Sequence, residues 1–448
     1  MHKKLLIGML AGTMTLCAAI GLAACGDDDT DNKGEGEAPV PVVGTEGLEY
    51  LLSGDQTYYI VIGLGTCTEK EIVIGNTYNN LPVTHISGGA FDSCYDLTSV
   101  TIADGVKYIG SGAFQECRAL TSVTIGNSVT SIGNLAFYDC LSLESVSFGN
   151  SVESIGAMAF NYCFPLTNPT FPNSLTSIGG RAFDSCTVIT AVTVPKGVTS
   201  IGEAAFSGCS ALTNLTVESG NTKYHSAGNC LIETATNTLI AGCKTSVIPT
   251  DGSVTEIGGF AFYGCGDLNG VTIPDSVTSI GERAFAGCGN LTGITIPNGV
   301  KSLGDCAFSG CAKIPTLTLP DSVTSIGASA FSSCSELTSI SLGSGVTSIG
   351  SSAFASCSKL TSITIPNGVT KIAPELFLQC SALTSVTIPS SVTMIAQFAF
   401  TDCTSLTKLQ FQGTKEQWND ITKEQDWFDK KREFTVQCSN GTLDQYIP

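Results

Sequence analysis

The sequence is poor in the residues from which catalytic and nucleic-acid-binding sites are usually built. Its 448 residues include only three histidines, His2, His85 and His225, which leaves little material for a histidine-based triad or metal site. Charged residues make up 13 % of the chain, about half of the usual share. The net charge of −18 argues against binding of nucleic acid, because phosphate contacts need clustered lysine and arginine. The one basic cluster is the short run at 430–432.

Familiar catalytic and cofactor motifs are also missing. The sequence has no glycine-rich phosphate loop, no His-Glu pair in a helical context and no serine in a nucleophile elbow. Its two tryptophans, Trp418 and Trp427, lie near the end of the chain. We therefore expect a protein that is not an enzyme and that uses neither a cofactor nor a metal ion.

Residues 1–24 are predicted to be a signal peptide. Lys3 and Lys4 precede an apolar run at 5–22, and small residues follow it. The order Leu-Ala-Ala-Cys at 22–25 resembles the bacterial lipobox, in which cleavage precedes a cysteine that is then acylated. This resemblance implies lipid attachment at Cys25 and a mature protein held to the bacterial cell surface or outer envelope. The alternative is an ordinary secretory signal with an incidental Cys25.

Residues 25–46 are predicted to be a lipidated, acidic, flexible tether. The stretch "GDDDTDNKGEGEAPVPVV" is rich in glycine, proline and carboxylates and cannot bury a core. No later segment is long and apolar enough to span a membrane. We therefore expect the folded part to work outside the cytoplasm, with the lipid anchor as its only membrane contact.

One motif recurs with a period of 23 residues. Each copy has a phenylalanine, a cysteine three residues later, and an isoleucine or leucine five residues earlier. The phenylalanines are Phe91, Phe114, Phe137, Phe160, Phe183, Phe206, Phe262, Phe285, Phe308, Phe331, Phe354, Phe377 and Phe400. The cysteines are Cys94, Cys117, Cys140, Cys163, Cys186, Cys209, Cys265, Cys288, Cys311, Cys334, Cys357, Cys380 and Cys403. Such regularity predicts a stack of equal coils.

Each coil contains two short extended pieces. Leu120, Val123 and Ile125 follow an L-x-x-L-x-L pattern, which predicts a strand with alternate residues pointing inward. A second extended piece covers 129–132, and a compact turn then carries Phe137. Stacking would bury faces that no single coil could bury alone.

Units such as "TIPDSVTSIGERAFAGC" resemble the leucine-rich repeats, and in particular the BspA-like surface proteins. The resemblance implies a repeat solenoid of 23-residue coils, β-rich with short turns or helical pieces on the outer side, about fourteen coils long. It implies repeats at 86–215 and 254–410. Residues 47–85 look like the N-terminal cap and first coil, and residues 411–448 look like the C-terminal cap. Caps are expected because an uncovered end would expose the core.

The array is interrupted between Phe206 and Phe262, which are 56 residues apart. Residues 216–253 contain two apolar runs separated by "ETATNT", which predicts a hairpin-like insertion that projects from one coil or extends it. Structural elaboration and a functional role both remain open for it. Cys230 and Cys243 flank the predicted hairpin, so a disulfide across it is a further alternative.

The thirteen repeat cysteines are expected to form a structural ladder of buried free thiols. In-register side chains on neighbouring coils point the same way, which disfavours disulfides between them. Their spacing also lacks the close C-x₂₋₄-C pairs of zinc sites. Cysteine is a small hydrophobe when reduced and suits a core position. Some disulfides between neighbours and metal binding are the alternatives.

The outward positions of the first extended piece form a candidate ligand face of hydroxyl side chains. Its members are Thr101, Thr124, Ser147, Thr170, Thr193, Thr272, Thr295, Thr318, Ser341, Thr364 and Thr387. Threonine also favours strands for structural reasons alone. The BspA-like resemblance implies adhesion to extracellular or host-surface proteins. Binding of a polysaccharide or an ice-like lattice, and a purely structural envelope role, are the alternatives.

Overall fold

The computed structural model describes residues 41–429 and 432–447. The predicted signal peptide, Cys25 and the tether up to residue 40 lie outside the described residues. From residue 48 onward the chain forms a β-solenoid of about 16 turns spaced about 23 residues apart. The predicted repeat solenoid is thus confirmed. It has about two more turns than the fourteen that were expected.

The strands are short and are separated by turns. In chain order they are β1 Glu49–Leu52, β2 Tyr59–Gly63, β3 Glu71–Ile74, β4 Thr77–Tyr78, β5 Leu81–Ile86, β6 Ser99–Ile102, β7 Tyr108–Ile109, β8 Ser122–Thr124, β9 Ser131–Ile132, β10 Ser145–Ser147, β11 Ser154–Ile155, β12 Ser177–Ile178, β13 Ala191–Val194, β14 Ser200–Ile201, β15 Asn214–Val217, β16 Tyr224–Ala227 and β17 Cys230–Glu233. They continue with β18 Thr238–Ala241, β19 Glu256–Ile257, β20 Ser279–Ile280, β21 Ser302–Leu303, β22 Thr316–Thr318, β23 Ser325–Ile326, β24 Ser339–Ser341, β25 Ser348–Ile349, β26 Ser362–Thr364, β27 Lys371–Ile372, β28 Ser385–Ile388, β29 Met394–Ile395, β30 Lys408–Phe411, β31 Thr422–Lys423, β32 Arg432–Cys438 and β33 Gly441–Ile447. One helix, α1, covers Lys415–Asp420.

Each regular coil contributes one front strand and one back strand. The front strand carries the hydroxyl positions, as in β8, and the back strand carries the Ser-Ile pair, as in β9. The strands of neighbouring coils pair in parallel, and each residue lies opposite the equivalent residue of the next coil. Val123, for example, lies opposite Val100 and Val146. Because inward residues repeat in register, one line of side chains from each position runs along the core.

The front strands form three separate sheets. These are β3-β6-β8-β10, β13-β15 and β22-β24-β26-β28-β30-β32-β33. The first break lies in the coil with Pro169 and Pro172, which lack the N–H groups that a sheet ladder needs. At the second break, Gly270 and Gly293 form only an isolated bridge. Glycine weakens a strand because it has no side chain to pack.

The outer side consists of consecutive turns. Each turn is tied to the next coil by backbone bonds, such as the Phe114 N–H to the Ala136 carbonyl at 2.8 Å. Two residues in most coils adopt the left-handed region, including Glu116 at φ 56° and Leu135 at φ 58°. Left-handed residues interrupt a right-handed helix, so the outer side has turns where helical pieces were an alternative.

The phenylalanines stack face to face through the core. Phe91 and Phe114 have ring centroids 4.9 Å apart and planes within 2° of parallel. Most later neighbours repeat this geometry with centroids up to 5.9 Å apart. All thirteen rings are at most 5 % exposed. Trp427 in the C-terminal cap closes the second stack, edge-on to Phe400 at 6.0 Å.

The insertion adds a layer to the sheet side only. Strands β16, β17 and β18 form an antiparallel meander, and β18 pairs in parallel with β19 of the next coil. On the outer side, the Gly208 N–H donates directly to the Tyr263 carbonyl at 2.9 Å. Gly242 packs against the Phe262 ring, where no larger side chain would fit. The insertion therefore extends a coil and interrupts the phenylalanine stack.

The ends of the solenoid are covered. Strands β1 and β2 form an antiparallel pair at the N-terminal end, and β32 and β33 form one at the C-terminal end. Helix α1 begins with a capping box between Thr414 and Gln417, and it buries Trp418. Within the described residues, no helix has the length and apolarity needed to cross a membrane.

A stacked phenylalanine should matter far more to stability than an exposed one. Phe308→Ala removes a ring that is 0 % exposed and stacked on both sides, and we expect a loss of about 3–5 kcal/mol in the free energy of unfolding. Urea unfolding followed by circular dichroism measures this loss. Phe164→Ala, at a position that is 41 % exposed, is the control and should cost less than about 1 kcal/mol. Equal losses would contradict the proposed core.

Candidate ligand face and thiol ladder

The candidate ligand face lies on the solvent side of the front strands. Ten of its eleven hydroxyl residues are exposed, and Thr387 is half-buried. Members on neighbouring coils lie directly opposite each other, as Thr101 does with Thr124 and Thr318 with Ser341. Their spacing is that of neighbouring strands, about 4.8 Å. The fold thus brings them together in columns.

The face is interrupted in the same places as the front sheets. Thr170 lies in a coil that has no front strand. Thr272 and Thr295 lie in two coils whose front segments pair only through the isolated Gly270–Gly293 bridge. The ligand face is therefore divided into shorter segments. The proline pair at 169 and 172 was a visible signal for the first interruption.

A second hydroxyl column has a structural role. It consists of threonines directly before several front strands, and their side chains donate to the carbonyl of the preceding coil. Examples are Thr121 to the Thr98 oxygen at 3.0 Å and Thr384 to the Thr361 oxygen at 3.0 Å. By contrast, among the described residues the ligand face has one side-chain hydrogen bond to a hydroxyl neighbour, between Thr193 and Thr216 at 3.1 Å. The face hydroxyls are thus largely available to a ligand.

A groove opens where front strands are missing. It has a volume of about 790 Å³ and is lined by residues 246–248, 270–272 and 292–295. Val247 at its edge is 70 % exposed, and Val271 and Ile294 are half-buried. Two members of the ligand face, Thr272 and Thr295, also line it. The insertion thus forms part of the front surface.

The repeat cysteines form a ladder along the core. Twelve of the thirteen are buried, and Cys94 is half-buried. Eleven donate their S–H to the phenylalanine carbonyl of the preceding coil, as in Cys117 to Phe91 at 3.1 Å and Cys311 to Phe285 at 3.2 Å. At the insertion, Cys265 faces the Gly242 carbonyl instead, at 3.9 Å. Each of these twelve thiols thereby links two coils.

All cysteines in the described part of the chain are free thiols, including Cys230 and Cys243 beside the insertion. Within the same residues, no group of three or more potential metal-ligating side chains comes together. Burial raises the pKa of Cys265, Cys334 and Cys380 from 9.0 to about 12. Since the thiolate is the nucleophile and metal ligand, these thiols are chemically inert near neutral pH.

The thiol ladder predicts loss of stability in alkaline solution. Below pH 9 the thiols are neutral in both the folded and the unfolded state, so their contribution to the free energy of unfolding is fully present. Between pH 9 and about 12 the unfolded thiols ionise while those of Cys265, Cys334 and Cys380 stay neutral in the fold. The free energy of unfolding should then fall by about 1 kcal/mol per pH unit for each such thiol.

Urea unfolding at pH 8, 9 and 10 measures this fall. Cys334→Ala is the matched control, because it removes one titrating thiol. Its free energy of unfolding should fall less steeply with rising pH than that of the original chain. If the free energy of unfolding falls equally with pH in both proteins, Cys334 is not a buried thiol that stays neutral in the fold.

Comparison with known families is consistent with this architecture. A family model described as a BspA type leucine rich repeat region, in six copies, matches residues 84–213, 233–336, 255–384 and 301–422. These matches cover well over half of the chain. No curated protein matches the sequence significantly.

Similar solved structures come from several bacteria. A leucine rich cell surface protein from Faecalibacterium prausnitzii A2-165 is 29 % identical with a TM-score of 0.58, and the match covers 86 % of this chain and 98 % of that one. A leucine-rich repeat protein from Eubacterium ventriosum ATCC 27560 is 24 % identical with a TM-score of 0.61, covering 90 % and 99 %. The pneumococcal vaccine antigen PcpA is 18 % identical with a TM-score of 0.53, covering 87 % and 97 %. The last two show likeness of fold alone.

Proposed function

Because the chain belongs to the BspA-type leucine-rich repeat family, we propose that it is a non-catalytic recognition or adhesion protein of the bacterial cell surface. Its ligands are proteins of a host or of neighbouring cells, bound through the extended repeat surface. The similar protein from Faecalibacterium prausnitzii is named as a cell surface protein, which supports export of this chain.

The observation that carries the proposal is the exposed column of hydroxyls on the front strands. These side chains are positioned at regular intervals, and most of them are not engaged by the fold. A surface of this kind offers many weak contacts, whose combined effect grows with the number that engage together. Protein ligands suit it better than polysaccharides, because sugar sites usually rely on aromatic platforms and the face itself is made of serine and threonine.

The side chains of the ligand face are also largely outside the contacts that hold the coils together. The outer turns carry the Phe–Cys ladder inward, and the back strands pair through Ser-Ile steps such as Ser154 and Ile155. Loss of a front-face residue should therefore reduce binding with little effect on folding.

Two arginines on the ligand face should reduce binding of a protein partner. In Thr124→Arg with Thr295→Arg, two long unpaired charges replace exposed hydroxyls in two parts of the face. We expect affinity to fall at least about tenfold, which corresponds to 1.4 kcal/mol. The full chain, purified in mild detergent, is tested against immobilised matrix proteins, cell-surface proteins and polysaccharides.

The matched control places the same charge on the back sheet. Ser131→Arg with Ser302→Arg uses positions equivalent to Lys371, which already carries a long basic side chain. This control should bind like the original chain. Binding of polysaccharides alone would favour the alternative ligand class. Binding that is unchanged by Thr124→Arg with Thr295→Arg would contradict a site on the hydroxyl face, and the absence of any binding would leave a structural envelope role.

Membrane attachment through Cys25 is a separate part of the proposal, supported by the lipobox-like sequence before it. Cys25→Ala should move the protein from the detergent phase to the aqueous phase in a phase-partition assay, because stable anchoring requires acyl chains. Cys17→Ala, inside the predicted signal peptide, is the control and should leave the protein in the detergent phase. Detergent partitioning of the Cys25→Ala protein would contradict lipid attachment there.

A further inference from the structure

The surface beside the Cys ladder differs between the two halves of the solenoid. In the first half, five of the positions next to the cysteines or one step beyond carry large exposed hydrophobic side chains. These are Tyr95 at 55 %, Leu141 at 36 %, Tyr162 at 38 %, Phe164 at 41 % and Val188 at 44 % exposed. We call these five residues, together with Arg118, the aromatic rim. In the described residues after Val247, no large hydrophobic side chain is exposed.

In the second half, most of the residues directly before and after the cysteines are small, and those one step beyond are mostly polar or charged. In the five coils from Cys265 to Cys357 these residues are Gly264, Gly266, Gly287, Gly289, Gly310, Ala312, Ser333, Ser335, Ser356 and Ser358. Around Cys380 and Cys403 they are Gln379, Ser381, Asp402 and Thr404, none of which is apolar. Both halves have the same backbone period and the same buried ladder. The aromatic rim is therefore not a requirement of the repeat.

The members of the aromatic rim lie on successive coils. The ring of Tyr162 is 5.9 Å from that of Phe164 and 5.7 Å from that of the half-buried Tyr138. The Arg118 guanidinium lies 5.8 Å from the centre of the Tyr95 ring. Its Nη2 is also 2.9 Å from Asp139 and 3.0 Å from Glu116. The surface thus combines tyrosine, phenylalanine and arginine, with the arginine already fixed in position.

The fold itself gains little from the aromatic side chains. Tyr162 has φ 62°, the left-handed region, where a bulky residue is unfavourable. Ser356 and Gly264 hold the equivalent position at φ 60° and 71° with smaller side chains. An exposed ring also forgoes much of the free energy of burial. Binding to a partner gives a physical reason for the arrangement, since protein-binding hot spots are rich in tyrosine and arginine.

The charge around the aromatic rim indicates the chemistry of the partner. Residues 91–188 contain eight acidic and three basic side chains. Asp92 and Glu144 are exposed on the same coils, whereas the charge of Arg118 is balanced by two carboxylates. A partner with lysine or arginine beside apolar side chains would match both the rings and the excess negative charge.

We propose that the aromatic rim is the main anchoring site for protein ligands, and that it takes a segment in which basic side chains alternate with apolar ones. This inference rests on the proposed protein-binding function and places its strongest contacts beside the hydroxyl face, on the first half of the repeats. The hydroxyl face then contributes the weaker contacts of the same interface.

A random 12-residue peptide display library tests this proposal. The library is selected on the full chain in detergent, with an excess of Tyr162→Ser/Phe164→Ser protein in solution as competitor. Serine already occupies the two equivalent positions of another coil, as Ser356 and Ser358, and the substitutions leave the net charge unchanged. We expect enriched peptides to be basic and apolar. The most enriched peptide should bind Tyr162→Ser/Phe164→Ser at least tenfold more weakly than the original chain.

Ser356→Ala/Ser358→Ala is the matched control at the same positions of the second half, and it should bind that peptide within twofold of the original chain. Enrichment of acidic or uncharged peptides, or no enrichment at all, would overturn the proposal. Equal binding of the peptide by the original chain and by the Tyr162→Ser/Phe164→Ser protein would overturn it too. The protein panel used for the proposed function is measured separately. Panel binding that survives Tyr162→Ser/Phe164→Ser would refute the rim while leaving protein recognition in place.

Discussion

The solenoid depends on one contact that is repeated in nearly every coil, the pairing of a stacked phenylalanine with a buried cysteine. The ring of Phe285 stacks on those of its neighbours at 5.0 and 5.3 Å, and its carbonyl oxygen accepts the Cys311 S–H at 3.2 Å. A single coil cannot bury its ring, so each coil is stable only against the next. Because burial keeps the thiols neutral, the ladder can persist as free cysteines in a protein predicted to be exported.

Residues outside the core contacts are free to differ between coils. The core uses the same inward positions in each coil, while the outward side chains of the front strands and the rim are in contact with water. The hydroxyl face is similar in both halves, whereas the aromatic rim is confined to the first half. The insertion separates the two halves on the sheet side and lines a groove with Thr272 and Thr295. Recognition can therefore be localised on a scaffold whose repeats are nearly identical.

The period was sufficient to predict the fold, because the spacing between successive phenylalanines, 23 residues, equals the length of one coil. It could not give the breaks in the front sheets, which depend on whether neighbouring strands can pair. Pro169 and Pro172 indicated the first break, whereas Gly270 and Gly293 were only a weak indication of the second. The aromatic rim was missed because Tyr162 and Phe164 flank a core cysteine, and apolar residues there suggest burial. Both nevertheless lie in a turn at the surface, where Tyr162 has a left-handed backbone and both side chains are exposed.

The most direct test of the account is hydrogen–deuterium exchange of the full chain, alone and with a host-surface protein that it binds. Slower exchange is predicted in front strands β6, β8 and β10 and in the turns that carry the aromatic rim, with unchanged exchange in back strands β7, β9 and β11. Protection of the back strands, or protection confined to the second half of the repeats, would contradict the claim that the front surface of the first half is the recognition site.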